Sequence, residues 1–249
     1  MPFGFAGKEL EVDLTNGIVK KNYSNIEHYK KFLGGRGIAT KIFVERISPD
    51  TDPFSPHNPL IFSAGLLTET LTPGANRTTL VTRSPQTGLL TYSTSGGLWG
   101  PEFKQAGYDT LIISGISDNP VYLFIKNDHV ELLDGSHLWG NNVLETKQML
   151  KDELKLNKIQ ILCIGPAGEN KVFASSIEHT LGAGAHRAAV GAVMGHKRQK
   201  AIVVHGTNDI HVAKPTELKK TCGHILSKIG PIKQYFNNWP EENGPWLFN

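Results

Sequence analysis

Pro73-Gly74-Ala75-Asn76-Arg77-Thr78-Thr79-Leu80-Val81-Thr82 runs from a turn composition, through an arginine, into a β-branched stretch that reads as a strand. Glycine lets backbone N–H groups approach a ligand closely, and a guanidinium fork takes phosphate or carboxylate in two-pronged fashion. The stretch therefore predicts a turn that aims Arg77 into a cleft for a large anion. Downstream, Ser95-Gly96-Gly97-Leu98-Trp99-Gly100 and Ala106-Gly107-Tyr108-Asp109 repeat the mixture of glycine and polar residues between apolar runs, and a further block surrounds Arg187.

Outward from that stretch, strands predominate. Strand-like runs at 8–13 and 18–21 flank Thr15-Asn16-Gly17, a strong hairpin signal. Ser24 followed by Glu27 has capping-box spacing for a helix through Leu33, which Gly34-Gly35 breaks. A second helix from Ile38, with Ile42, Phe43 and Ile47 on one face, stops at Ser48-Pro49. Further strands are expected at 60–63, 78–82, 89–93, 110–114, 121–126, 129–133, 159–164, 173–176 and 201–205, with helices at 97–106 and 143–154. The alternation predicts an α+β domain, strand-rich and without a fixed-period repeat. From Pro215 a helix is expected to carry Leu218, Cys222, Ile225, Leu226 and Ile229 on one face until Gly230-Pro231, followed by an aromatic tail with Phe236, Trp239, Trp246 and Phe248.

Composition removes several classes of function. Lys plus Arg total 26 against 23 Asp plus Glu, and the scattered +3 excess argues against a nucleic-acid surface. No apolar run approaches the roughly 20 residues of a membrane span, and no charged segment precedes an apolar one at the start, so a cytoplasmic protein is expected. Only Cys163 and Cys222 are present, too few for a [4Fe-4S] centre that takes four thiolates, and Cys163 reads as a buried strand residue. There is no His-x-x-x-His pair, nucleophile elbow or phosphate loop. The glycines at 34–37 follow a capped helix and so do not make a dinucleotide fingerprint.

Four blocks carry a resemblance: NRTTLVTRSPQTG (76–88), SGGLWGPEFKQAGYD (95–109), IGPAGEN (164–170) and VGAVMGHKRQKAIVVHG (190–206). In this order they are similar to the N-terminal domain of tungsten-containing aldehyde ferredoxin oxidoreductases, over about residues 5–206. The resemblance implies two similar, intertwined halves sharing one core and forming a base for a pterin cofactor. It divides the chain into a family-like domain at 1–208 and, at 209–249, a helix and tail leading to absent helical domains or contacting a partner. The implied cofactor is a tungstopterin or molybdopterin in bis-pterin form. A [4Fe-4S] cluster would lie on missing C-terminal domains or on a cysteine-rich partner subunit, and ferredoxin and an aldehyde would be the other partners.

The resemblance assigns cofactor binding to Arg77, to Thr94, Ser95, Gly96 and Gly97 where a strand ends and a helix opens, and to Arg187, Ala188 and Gly191. No catalytic residue or metal ligand is expected on this chain. Thr94 stands where the family often has asparagine. The second block departs further. Anchored on Val190-Gly191, it keeps the later of two arginines as Arg187 and replaces the earlier with Ala183. In another register, His186-Arg187-Ala188-Ala189 matches the first part and the remainder is deleted. Either way one phosphate-binding arginine is missing. Two functions follow: a cofactor-binding part of an enzyme oxidising aldehydes to carboxylic acids, or a non-catalytic scaffold or assembly protein with a degenerate site.

Overall fold

The computed structural model describes residues 3–156, 158–179 and 184–237. β1 (Lys8–Asp13) and β2 (Ile18–Tyr23) form the expected antiparallel hairpin, with Gly17 at φ +65° in its turn. α1 (Ile26–Phe32) is capped by Asn25, which accepts the N–H groups of Glu27 and His28, rather than by Ser24. Ser24 is buried, so the cap passes to the next polar side chain. α2 (Gly35–Arg46) starts at the glycine pair itself, because Gly34 and Gly35 take the positive φ that turns one helix into the next.

β3 (Leu60–Ala64), β4 (Thr78–Arg83), β5 (Leu90–Ser95), α3 (Trp99–Gln105) and β6 (Tyr108–Ser114) complete the first half. The helix expected from Gly97 begins at Trp99, since Gly97 at φ +83° is outside the helical region. The second half holds β7 (Val121–Lys126), β8 (His129–Asp134), α4 (Val143–Leu154), β9 (Gln160–Cys163), the single turn α5 (Pro166–Glu169), β10 (Ile177–His179), β11 (Gly184–Ala185), α6 (Val190–His196) and β12 (Gln199–His205). No strand forms at 173–176. Val172 and Phe173 are exposed, a backbone bond from Ser175 to Val172 closes a turn there, and the strand comes immediately after as β10.

Each half makes its own six-stranded sheet, ordered β2-β1-β6-β3-β4-β5 and β8-β7-β12-β9-β10-β11. The two orders are the same. In each, the first strand of a hairpin runs parallel to the last strand of the half, and the remaining pairs are antiparallel. The irregularity recurs too: β6 skips Asp109 against β1, and β12 skips Lys200 against β7. The halves are consecutive in sequence and exchange no strand, so what they share is side-chain packing. One core takes Leu10, Phe62, Trp99 and Leu111 from the first half and Leu162, Val193, Ile202 and Val204 from the second. Trp99 stacks on Phe103 at 4.9 Å and donates its indole N–H to the Ile202 carbonyl at 3.3 Å.

α7 (Pro215–Asn237) runs through Gly230-Pro231, where a stop is expected. Pro231 withholds one backbone donor, and the turns on either side carry the helix past it. On its apolar stripe Cys222 is buried and Leu226 exposed. The Phe236 side chain, Trp239, Trp246 and Phe248 lie outside the described residues, as does Ala183. Among the described residues, no helix is long and apolar enough to cross a membrane.

Candidate functional site

β4 and β5 pair so that Thr79 lies opposite Thr94 and Thr78 opposite Ser95. This places Arg77, the residue before β4, beside the end of β5, and its guanidinium donates to the Thr94 hydroxyl at 3.2 Å. Arg77 is exposed and Thr94 half-buried. The pair therefore presents a cation and a hydroxyl at one strand end, as a phosphate or carboxylate site requires. Ser95, by contrast, is buried, and its hydroxyl turns to the Gly96 carbonyl at 3.3 Å. Gly96 remains partly open beside Thr94.

Gly97 owes its lack of a side chain to the protein itself. A Cβ there would stand 2.5 Å from Nδ1 of His179, on β10 of the other half. His179 is fully buried, and burial, reinforced by the Lys147 charge, pulls its pKa down to about 4. The ring is therefore neutral at neutral pH. Lys147 in turn donates to the His179 carbonyl at 2.5 Å.

β11 lies against β5, so the two sheets meet along the strands that lead into both glycine-rich blocks. Past β11 the chain exposes Arg187 and enters α6 through Ala188 at φ +68° and Ala189 at φ +58°. Left-handed alanines cost about 1–2 kcal/mol each. Here β11 on one side and buried α6 on the other hold them. Gly191 is inside the packing, where a Cβ would meet the Ser176 carbonyl at 2.7 Å. Of the eight expected residues, Arg77, Thr94, Gly96, Gly97, Arg187 and Ala188 are thus at least partly accessible, whereas Ser95 and Gly191 are buried, and a side chain at Gly97 would collide with His179.

The strand registers show what the second half offers at the place of Arg77. Ser63 and Cys163 occupy equivalent positions opposite the last strand of their sheets, and each pairs with the second residue of the next strand, Thr79 or Glu178. Ser176 therefore stands where Arg77 does. A cleft of about 460 Å³ opens there, lined by Asn142, Leu144, Pro166, Ser176 and Glu178. Among the described residues, neither Arg77 nor Arg187 has a carboxylate partner. Two unneutralised guanidiniums near the seam of the sheets suit a ligand with more than one anionic group.

Other polar residues of the motifs serve structure. Asp109 is buried and accepts the N–H groups of Ala6 at 2.9 Å and Gly7 at 2.7 Å, while burial raises its pKa. Glu169 pairs with buried Lys200 at 2.5 Å and accepts the Gly140 N–H. Arg36 lies over the Tyr92 ring of β5 at 4.6 Å. Cys163 is fully buried, and burial pushes its thiol up to about 11. Among the described residues, no group of three or more His, Cys, Asp or Glu side chains is placed to hold a metal ion. Lys104 and His179 escaped the sequence reading. A buried lysine has no local signature, and the contact between the histidine and Gly97 of the other half is made only by the tertiary fold.

The family model described as aldehyde ferredoxin oxidoreductase, N-terminal domain, matches residues 9–206. The chain is 46% identical over 227 residues to the tungsten-containing aldehyde ferredoxin oxidoreductase of Pyrococcus abyssi, covering 91% of this chain and 37% of that protein. It is 35% identical to the WOR-like subunit of the aliphatic sulfonate oxidoreductase of Pyrococcus furiosus, over 84% of this chain and 35% of that one. Among solved structures it superimposes, with a TM-score of 0.90 and 46% identity, on a chain of the active-site complex BamBC of benzoyl coenzyme A reductase in complex with 1,5-dienoyl-CoA, covering 92% of this chain and 35% of the other. The chain thus spans little more than a third of the length of these proteins. It belongs to the aldehyde ferredoxin oxidoreductase family, whose N-terminal domain its residues 9–206 form.

Proposed function

We propose that this chain is the cofactor-binding N-terminal part of a tungsten or molybdenum bis-pterin oxidoreductase that oxidises aldehydes to carboxylic acids and passes electrons to ferredoxin. The observation that carries the reading is the pairing of an exposed, carboxylate-free Arg77 with Thr94 at one strand end, with Arg187 following the strand that adjoins it. These residues fit a phosphate-bearing group. Such a cofactor supplies the two-electron chemistry at its metal. The chain's own part is to bind and orient. Arg77 and Arg187 neutralise phosphate, Thr94 adds a hydroxyl to the same anion, and the open backbone at Gly96 allows close approach. Neither buried cysteine serves a cluster, so the [4Fe-4S] group belongs to the remaining domains or to a partner. On this division, 1–208 is the binding domain and 209–249 leads toward the rest of the assembly.

Replacing Arg77 by Ala tests this directly. Loss of a charged hydrogen bond weakens cofactor affinity by roughly 10- to 150-fold. Tungsten and molybdenum are measured by elemental analysis, and pterin by fluorescence after oxidation, in complexes purified from the native source. Metal content equal to wild type overturns the assignment. A second reading, reduction of an aromatic coenzyme A thioester, is favoured by the 46% identity to the BamBC chain, which matches that to the P. abyssi enzyme. Dye-coupled assays with aldehydes and with benzoyl coenzyme A separate the two, and a native complex without metal or pterin makes the chain a scaffold.

A further inference from the structure

Lys104, in the last turn of α3, is fully buried. Its ammonium donates to the carbonyls of Gly4 at 2.6 Å, Thr68 at 3.0 Å, and Gly65 and Leu66 at 3.2 Å. Four converging carbonyls are the surroundings of a bound cation, here supplied by the chain itself. Three of them belong to the segment that leaves β3 and ends at Arg77. The network continues along that segment: the Gly65 N–H donates to the Thr68 hydroxyl at 3.1 Å, and that hydroxyl donates to the Ala75 carbonyl at 2.9 Å. The Glu69 N–H donates to the Asn76 side chain at 3.5 Å.

The other half provides a control within the molecule. Counting back from the equivalent bulges at Asp109 and Lys200, Gly195 holds the place of Lys104. A Cβ on Gly195 would lie 1.9 Å from the Gly168 carbonyl, so α6 rests directly on the loop after β9. The half with the lysine spacer carries Arg77 at its loop end. The half without it carries Ser176.

We propose that Lys104 is a positioning residue for the Arg77 anion site, its buried ammonium gathering the carbonyls of Gly65, Leu66 and Thr68 and so fixing the segment that presents Arg77. The proposal rests on the reading of Arg77 as an anion-binding group. Burial brings the Lys104 pKa down to about 8, and the charged groups facing it, Asp109 on β6 and Glu69 on the loop, draw it back up. Residues 3–7 and β3, which also pack on it, carry no titratable side chain. Because burial holds the folded pKa below that of a free lysine, any opening of the segment that exposes Lys104 takes up a proton, and the segment holds more firmly as pH rises through about 8.

Amide hydrogen exchange on the full chain, corrected for intrinsic rates, reads this out. In wild type, exchange at 65–77 is expected to slow about tenfold from about pH 7 to about pH 9 while β3 and β6 stay protected. Lys104→Met should exchange fast in that segment at both pH values, and should carry less metal when isolated with its native partners. Thr68→Val leaves the ammonium in place and cuts the link to Ala75, so the pH dependence should persist at 65–68 and vanish at 75–77. Unaltered protection at 65–77 in Lys104→Met, or a pH-independent segment in wild type, overturns the proposal. If Lys104→Met does not fold, unchanged exchange at 75–77 in Thr68→Val overturns it equally. Full metal retention by Arg77→Ala, with the exchange results as expected, would overturn the cofactor reading and leave the positioning role intact.

Discussion

Asp109 and Lys200 sit at the same irregularity in two sheets of the same strand order, and they carry opposite charges. An extra residue in a paired strand re-aims one side chain out of the alternating pattern. In the first half it is a carboxylate that collects the N–H groups of Ala6 and Gly7; in the second it is an ammonium that binds Glu169 and the Asn141 carbonyl at 2.9 Å. The backbone device is common to both halves, while the group it serves is local. Glu69 and Glu169 show the same divergence. They follow equivalent strands at the same distance, yet Glu69 accepts from the Gln105 amide and Glu169 holds a buried ion pair. A duplicated framework thus tolerates opposite electrostatics as long as each buried charge has its own partner.

The largest effect that sharpens this comparison is expected at the glutamates. Glu169→Gln leaves Lys200 buried without its countercharge and should destabilise the chain by about 3–5 kcal/mol. Glu69→Gln keeps an acceptor for Gln105 and should cost less than about 1 kcal/mol. Urea titration of both variants checks this, and equal losses would break the contrast.

The equivalent helix glycines come next. A Cβ at Gly191 meets backbone, the Ser176 carbonyl at 2.7 Å, so Gly191→Ala should cost about 2–3 kcal/mol. At Gly100 the one close clash would be with the Thr78 hydroxyl at 2.2 Å, a buried group without a hydrogen-bond partner among the described residues, which a change of side-chain rotamer can relieve. Helix propensity favours alanine by about 1 kcal/mol, so Gly100→Ala should come out near neutral. A Gly100→Ala loss as large as that of Gly191→Ala would show that the first half is packed as rigidly as the second.

The smallest effect is a slope with pH, one lysine from each half contributing. Burial lowers the Lys104 pKa to about 8 and the Lys197 pKa to about 7, below the 10.5 of a lysine in water. Between those folded values and 10.5 the unfolded chain binds more protons, so stability rises as pH rises through that window and is lost as pH falls toward 7. Lys197 donates to the Gly115 carbonyl at 3.0 Å, and Asp13 is the charge that opposes its shift. Urea midpoints from about pH 7 to about pH 9 should climb in wild type, with the lower part of the climb absent in Lys197→Met and the upper part reduced in Lys104→Met. Parallel curves for all three proteins would remove both lysines from the balance.

Much of the fold was legible because local patterns and tertiary demands agree. Asn16-Gly17 turns the first hairpin, Val121–Lys126 and Val143–Leu154 occur where apolar periodicity places them, and Cys163 is the buried strand residue its neighbours suggest. Disagreement arose where a residue's own chemistry says little about its neighbours. Phe173 reads as strand and is exposed, whereas Glu178 and His179 fall in no expected strand and are strand, because pairing to β9 and burial against Gly97 decide their state. At the candidate site the sequence marked Arg77 and Thr94, 17 residues apart, and β4–β5 pairing brings them to 3.2 Å. The resemblance also marked Ser95, Gly97 and Gly191, and the structure buries Ser95 and sets packing partners where a side chain at either glycine would go.

By itself the sequence determined the strand-rich class, the glycine and arginine blocks, a cysteine count too low for a four-thiolate cluster on this chain, and the family. These follow from periodicity, composition and motif order, which are properties of neighbouring residues. Only the tertiary structure decided that the halves are consecutive copies of one strand order, that Asp109 and Lys200 share a bulge, and that Lys104 sits among four carbonyls drawn from separate segments. Those facts depend on which distant backbone groups meet. A buried charge or a missing Cβ takes its meaning from the atoms packed against it, and no local pattern in the chain names them.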